Sequence, residues 1–467
     1  MRKVSYSSNL IELSFSKIFF KLAIPNLFST ILASTTVIFD LWYVGQIGVS
    51  ELAGVAYVFP IYMLTSMLSN GAFGGAISGA TARAFGSQDI FKAECIFRSA
   101  IVIALLGSII MMAIFFGFVK TFFSFFLIDK EIVLSALTYG SILLGGIVLV
   151  WLFNIIIAIT RGSGNTLIPA ISWSLVLISH IIAASMNFEY VDGQLILLEN
   201  VKLFNEILIF NSLEWSAISF LIGYLIGIFF ICAFYYFGKH PFTFDLKNIL
   251  KFDGIIILLK SGSLASCQSI MTIGLAMFSI TVIGTYGINW TAGFGIAIRL
   301  ELLLIPIIFG IGGALIAIVG ANVGANKYSR AVIMAWKGTF FSVFIVGIIG
   351  IGFSIYPDVW SSLFTDDLLI KETSKSYLKI VAPFYAFFAL GLGLYFTCQA
   401  FNTLFWPVVG TFIRLTFVVL VTLILLYIDA ASPTSLFITM SLGLIIYGTF
   451  IGLSLHFGPW KNYYKLK

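Results

Sequence analysis

The sequence predicts an all-α membrane protein with twelve transmembrane helices in two pseudo-symmetric six-helix bundles around a central cavity. Three observations carry that expectation. Of the 467 residues, 60% are hydrophobic and only 10% charged, whereas ordinary soluble domains are roughly a quarter charged. Twelve stretches reach the ~20 mostly apolar residues that a spanning helix needs. Three pairs of segments also repeat at nearly one sequence offset.

The spans follow one another at roughly 18–47, 52–80, 98–120, 132–159, 166–190, 213–238, 254–284, 290–320, 331–355, 376–401, 406–428 and 433–457. Several are long enough to tilt. The start, MRKVSYSSNLIELSFSKIFFK, is polar and basic with no small-residue cleavage site behind it, so no removable signal peptide is expected. Lysine and arginine set the orientation. They cluster in the N-terminus (Arg2, Lys3, Lys17, Lys21), after span 2 (Arg83, Lys92, Arg98) and after span 4 (Arg161). They recur after span 6 (Lys239, Lys247, Lys251), after span 8 (Lys327, Arg330) and at the chain end (Lys461, Lys465, Lys467). The alternate connections are acidic, neutral or mixed. The positive-inside rule then makes both termini cytoplasmic, and an even number of spans agrees. The connection 189–212 is the longest outer one, and its LENVKLFNEILIF is expected to form a short surface helix.

The net charge of +6 is small and scattered, which fits loop bias and excludes nucleic acid as a partner. Cys95, Cys232, Cys267 and Cys398 lie in or beside apolar stretches with no C-x-x-C pair, so they are read as free packing thiols. No metal site and no cofactor are indicated.

The repeat is specific. GGAISGATARAFGSQDIFKA (74–93) aligns with GGALIAIVGANVGANKYSRA (312–331) at an offset of 238. VGQIGVSELAGVA (44–56) aligns with IGTYGINWTAGFG (283–295) at 239, and NTLIP (165–169) with NTLFWP (402–407) at 237 to 238. Two halves follow: residues 1–240, an N-terminal six-helix lobe carrying a coupling site, and 241–467, a C-terminal six-helix lobe. Six is even, so both copies enter from the same side and are related by an axis along the membrane normal. Secondary transporters often build a central cavity from such repeated bundles.

Four segments carry a family likeness: LAIPNLFSTILASTTVIFDLWYVGQIGVSELAGVA, the GGA…ARAFG stretch, RGSGNTLIP, and FGIAIRLELLLIPIIFGIGGALIAIVGANVGA. The chain resembles the multidrug and toxic-compound extrusion (MATE) family from about residue 18 to 457. That resemblance implies a twelve-helix antiporter that expels organic cations and amphipathic compounds on a proton or sodium gradient. It implies that Asp40 matches the aspartate of a first-helix cation site, and that Pro25 matches a proline about which that helix bends. The family pattern is incomplete in span 5. An asparagine and, four residues on, an aspartate are common there, and those places fall on His180 and Ala184. A hard cation wants several oxygen ligands, so the missing carboxylate favours a proton over sodium.

Asp40 is a carboxylate in an otherwise apolar run, ~10 Å below the outer end of span 1 at 1.5 Å per residue. Ionised and facing lipid it would cost at least a few kcal/mol, so it must face the bundle, either as a coupling acid or as a structural polar residue. His180 and Tyr139 fall at a similar depth on spans 5 and 4, where the three could form a relay or a cation site. The plainer reading of His180 is a neutral histidine satisfied between helices. Glu301 is a candidate second acid or the neutraliser of an arginine, with Arg299 and Gln268 as further candidate cavity residues. Arg299 and Glu301 are two apart, point to different faces and cannot pair. The counterpart of Asp40 in the second half is Ser279, so a coupling acid there is not repeated.

The expected function is secondary active efflux by alternating access. A small organic cation or amphipathic compound leaves in exchange for H+ or Na+ across the bacterial inner (plasma) membrane. The protein is expected to act as a lipid-embedded monomer. Protonation of Asp40 would weaken cation binding in the cavity and change the packing of span 1 about Pro25. A flippase for lipid-linked precursors is the nearer alternative, although extra helices and many cavity arginines are missing. A membrane-embedded enzyme is remote, because His180, His240 and His456 lie far apart and no catalytic cluster accompanies them.

Overall fold

A computed structural model describes residues 10–125, 129–191, 194–203, 208–238 and 254–463. Its spans are α1 (Phe15–Ile47), α2 (Val49–Gly86), α3 (Ile90–Phe125), α4 (Lys130–Gly145 and Ile147–Gly162), α5 (Leu167–Ser185) and α6 (Ser212–Phe237). The second half repeats them as α7 (Ile255–Gly284), α8 (Ile288–Gly324), α9 (Tyr328–Ile355), α10 (Leu368–Phe401), α11 (Phe405–Tyr427) and α12 (Pro433–Phe457). Eleven described helices are long and apolar enough to cross a membrane, and the α4 pair makes twelve when its 45° bend is counted as one span. The bend falls at Gly146, whose N–H bonds back to the Ile142 carbonyl before the next helix starts. On α1 the side chains of Ile24, Phe28, Ile31 and Ile38 are more than half exposed along one face. Such a stripe suits lipid rather than water.

Turn chemistry follows the repeat. Gln88 and Asn326 both hold left-handed φ angles of 58°, and Gly164 (φ 88°) is matched by Asn402 (φ 60°). Each pair is separated by the same 238 residues as the aligned segments.

Both described chain ends sit at one end of the bundle. There Asn322 donates to the Leu10 carbonyl, Arg330 donates to the carbonyls of Ile11 and Leu13, and Tyr463 stacks on Tyr328. At the opposite end the 189–212 connection forms two antiparallel hairpins instead of the expected surface helix. β1 (Phe188–Val191) pairs with β2 (Gln194–Leu197), and β3 (Asn200–Leu203) with β4 (Leu208–Asn211). The cause is visible in the chain. In the sequence, Asp-Gly at 192–193 is a hairpin signal, and period-2 placement buries Val201 on Ala183 and Trp215. Residues 204–207 of that expected helix lie outside the described residues.

The two halves meet along a seam at the chain-terminus end. Asn26 of α1 donates to the Gly310 carbonyl of α8 at 2.8 Å. Gln399 of α10 donates to the Gly71 carbonyl at 3.0 Å, within a π-helical stretch of α2, Met67–Phe73. Arg83 of α2 donates to the Gln399 and Ala400 carbonyls at 3.1 and 2.6 Å, capping the last turn of α10, where carbonyls lack helical partners. The seam needs small residues: a Cβ on Gly79 would stand 2.5 Å from the Gln399 carbonyl oxygen. Overpacking of this kind costs about 1–3 kcal/mol. Gly79→Val is therefore expected to lower the thermal midpoint of the purified protein. Gly274→Ala, where a Cβ meets nothing within 4 Å, should leave it unchanged.

Candidate functional site

Four helices of the first half converge on Asp40 near the hairpin end. The carboxylate is buried, 4% exposed, with His180 at 0% and Tyr139 at 3%. Tyr139 of α4 donates its Oη to Asp40 Oδ2 at 2.5 Å. Ser216 of α6 donates Oγ to Asp40 Oδ1 at 2.7 Å. His180 of α5 makes no hydrogen bond through Nε2, which lies 3.5 Å from the same Oδ1. The imidazole is held edge-on by Phe39 and Phe220, with ring centroids 5.1 and 5.3 Å away. Tyr43 lies one helical turn beyond Asp40 on α1 and accepts from Asn187 Nδ2 at 2.8 Å.

The protons of this cluster can be counted. Ser219 has one hydroxyl hydrogen and gives it to the Ser216 carbonyl at 2.8 Å. Its oxygen also lies 3.1 Å from His180 Nδ1; with the hydroxyl hydrogen on the carbonyl, Nδ1 is the tautomer position that carries a hydrogen and donates. A neutral imidazole then turns the bare Nε2 lone pair toward the carboxylate, and two acceptors face each other. One additional proton, on Nε2 or on Oδ1, converts that repulsion into a charge-assisted or strong neutral hydrogen bond. The arrangement is suited to taking up one proton and to registering it as a change in the α1–α5 contact.

Ser216 and Ser219 were not singled out in the sequence. Their signal is depth and spacing. They lie three apart on one face, in the first two turns of a span that starts at the hairpin end, level with Asp40.

A separate cavity of about 260 Å³ lies between the halves, on the far side of the seam from the chain ends. Phe59, Pro60, Met63 and Met67 of α2 form one wall, and α7, α8 and α10–α12 form the rest. Glu301 lines it, paired with Arg414 Nη2 at 3.3 Å and accepting from Tyr377 Oη at 2.8 Å. The residue that neutralises Glu301 is thus Arg414 on α11, not Arg299. Arg299 is exposed, lies over the Phe364 ring at 5.6 Å and is not among the cavity's lining residues. It points away because it is two residues from Glu301 on one helix. Gln268 is buried and donates to Tyr447 Oη at 3.1 Å, outside the lining as well. Asp40 does not line the cavity either, so its charge does not face whatever occupies it. Pro25 lies inside the continuous α1 and immediately precedes Asn26, the residue that anchors α1 to α8. Ser279, the counterpart of Asp40, does line the cavity.

The family model MatE matches residues 25–186 and 265–428, most of the chain and both halves. The chain belongs to the MatE family. Members are transporters, not enzymes, and this multi-pass membrane protein is read as one of them. It is 21% identical over 391 residues to the probable multidrug resistance protein YoeA of Bacillus subtilis (strain 168), covering 83% of this chain and 81% of that protein. A crystal structure described as MATE in the bent conformation superposes with a TM-score of 0.83 at 19% identity, covering 98% of each chain. An outward-facing multidrug resistance MATE family transporter of the MOP superfamily gives 0.82 at 18% identity over 100% of both chains.

Within this MatE protein, hydrogen bonds to a charged acceptor contribute about 1.5–3 kcal/mol each. Ser216→Ala and Tyr139→Phe are each expected to lower the thermal midpoint. In the Asp40→Asn background the same substitutions should have a smaller effect, a coupling that a double-mutant cycle in detergent reads directly.

Proposed function

We propose that this chain is a proton-coupled efflux antiporter of the bacterial inner membrane, exporting small amphipathic organic compounds by alternating access between lobes 1–240 and 241–467. The observation that carries the coupling reading is the Asp40–His180 contact. A buried carboxylate has two hydroxyl donors in place and, 3.5 Å away, an imidazole Nε2 with no hydrogen-bond partner, a contact that one proton would complete. In this reading both termini are cytoplasmic, the hairpins face outward, and the cavity is the outward-facing binding site of a monomer. Above Asp40 a second cavity, of about 540 Å³ and bordered by Gln46, Glu51, Glu199 and Asn211, supports a proton route from the hairpin side.

Coupling runs through packing. Below Pro25 and Asn26 the buried residues of α1, Phe19 and Leu22 among them, belong to the core of the second half, and beyond them Tyr43 and Val44 belong to the core of the first. A proton added at Asp40 draws the outer part of α1 toward α5 and α6. Its loss leaves two acceptors opposed and releases that part about Pro25. Because Asn26 ties α1 to α8, the change reaches the seam. Asp40 lies outside the cavity, so the proton acts on the position of α1 and not on the charge seen by substrate. Sodium is the second coupling ion considered. Span 5 has Ala184 where a second carboxylate would stand, and a hard cation wants several oxygen ligands, which supports the proton.

In proteoliposomes an inward proton gradient is expected to drive export, and a sodium gradient alone is not. Asp40→Asn should abolish gradient-driven export while the protein still folds and inserts. His180→Asn should retain export with an altered pH profile. Full export by Asp40→Asn, or export on sodium alone, would overturn the proposal.

A further inference from the structure

The interlobe cavity has an apolar wall and one paired charge. Among its described lining residues only Glu301 and Arg414 are charged. Four methionines, Met63, Met67, Met277 and Met440, give the wall an adaptable, polarizable surface. The cavity thus takes an apolar body of about one fused ring pair, and the pair decides what polar end accompanies it.

The two members of the pair are not equally satisfied. Each Glu301 oxygen already has a partner: Oε1 has Arg414 Nη2 at 3.3 Å, and Oε2 has the Tyr377 hydroxyl at 2.8 Å. Arg414 is 9% exposed, lies over the Phe388 and Tyr447 rings at 5.6 and 5.7 Å, and its buried Nε has no hydrogen-bond partner. A guanidinium has five N–H donors and no acceptor. Within the pair, Arg414 therefore keeps more unused donors than Glu301 keeps unused lone pairs, since two of a carboxylate's four or so acceptor sites are taken. A monocation would meet an acid that is already neutralised and a guanidinium that repels it, in surroundings that screen charge poorly.

We propose that the cavity selects amphiphiles whose polar end carries an anionic acceptor such as a carboxylate, zwitterions included, over organic monocations. The acceptor docks on the Arg414 guanidinium from the cavity side through the terminal N–H donors that Glu301 leaves unused, Nε being buried away from it. In a zwitterion the ammonium group then falls beside Glu301, and the occupied site keeps zero net charge. This specificity rests on the reading of the cavity as the substrate site, but not on the coupling ion.

The test uses three probes with one naphthyl body: naphthylacetate, the zwitterion naphthylalanine, and naphthylmethyl-trimethylammonium. Binding to the purified full-length protein is measured by titration calorimetry. The carboxylate and the zwitterion are expected to bind about tenfold or more tighter than the quaternary ammonium. Arg414→Gln should remove that preference, and Glu301→Gln should widen it for naphthylacetate. Because a lone buried Glu301 can unfold the first variant, the neutral double variant Glu301→Gln/Arg414→Gln is included. It should still bind uncharged naphthylmethanol, which shows the cavity intact, while showing no preference among the charged probes. Equal or tighter binding of the quaternary ammonium by the wild type would overturn the inference, as would a preference that survives in the double variant. Proteoliposome export separates the two readings. Gradient-driven export of the quaternary ammonium in preference to the acids overturns the specificity and leaves the antiporter reading intact. The expected binding order without any gradient-driven export overturns the antiporter reading alone.

Discussion

The rest of the structure depends on one buried carboxylate of α1 that three neighbouring helices surround at once. Asp40 is removed from water, and its two oxygens take hydroxyl donors from α4 and α6 while α5 brings an imidazole alongside. Leaving such a group unpaired in hydrocarbon costs several kcal/mol. The outer part of α1 is therefore held in one place and one rotation. The inner part of the same helix is held by different neighbours: Asn26 bonds α8 carbonyls, and Phe19 packs edge-on to Phe341 of α9. A single helix thus has one end in each half of the molecule, with Pro25 between the two sets of contacts. In the proposed mechanism, a proton that joins His180 to Asp40 alters the outer set alone, and a helix whose proline lacks an N–H can absorb the difference as a bend.

The second half uses its charge differently. Its acid, Glu301, is not opposite Asp40 in the repeat, and it is matched by a guanidinium stacked on two aromatic rings. In the proposed antiporter the Asp40 site, read as handling the proton, and the cavity, read as handling the cargo, are separate in space and unlike in chemistry. The first is a compact polar knot inside one half. The second is an apolar cleft between halves with a neutralised pair in its wall. Separation removes direct competition of proton and cargo for one acid, and leaves the position of α1 as the link between them. At the seam, amide side chains and the Arg83 guanidinium donate to backbone carbonyls of the other half.

Some features were legible in the chain because they are local or periodic. Apolar runs of spanning length set the twelve helices, and the 238-residue offset set the two-fold plan down to the matching left-handed turns at Gln88 and Asn326. Asp40, Tyr139 and His180 could be placed at one depth by counting residues from the outer ends of their spans. Glu301 and Arg299 could be assigned to different faces from spacing alone. The hairpins of 189–212 were not expected, because the segment is too short for its period to separate an amphipathic helix from alternating strands. The Asp192-Gly193 turn signal was the cue.

What the sequence by itself determined is the number of helices, their order, their repeat and the depth of each polar residue, since these follow from hydropathy and a fixed rise per residue. Tertiary structure decided everything that depends on rotation about the helix axes. It turned Ser216 and Ser219 toward Asp40, gave Glu301 a partner 113 residues away in Arg414, sent Arg299 outward and kept Asp40 out of the cavity. In hydrocarbon every face of an apolar helix reads alike, so azimuth is set only by the close packing of many side chains across the bundle.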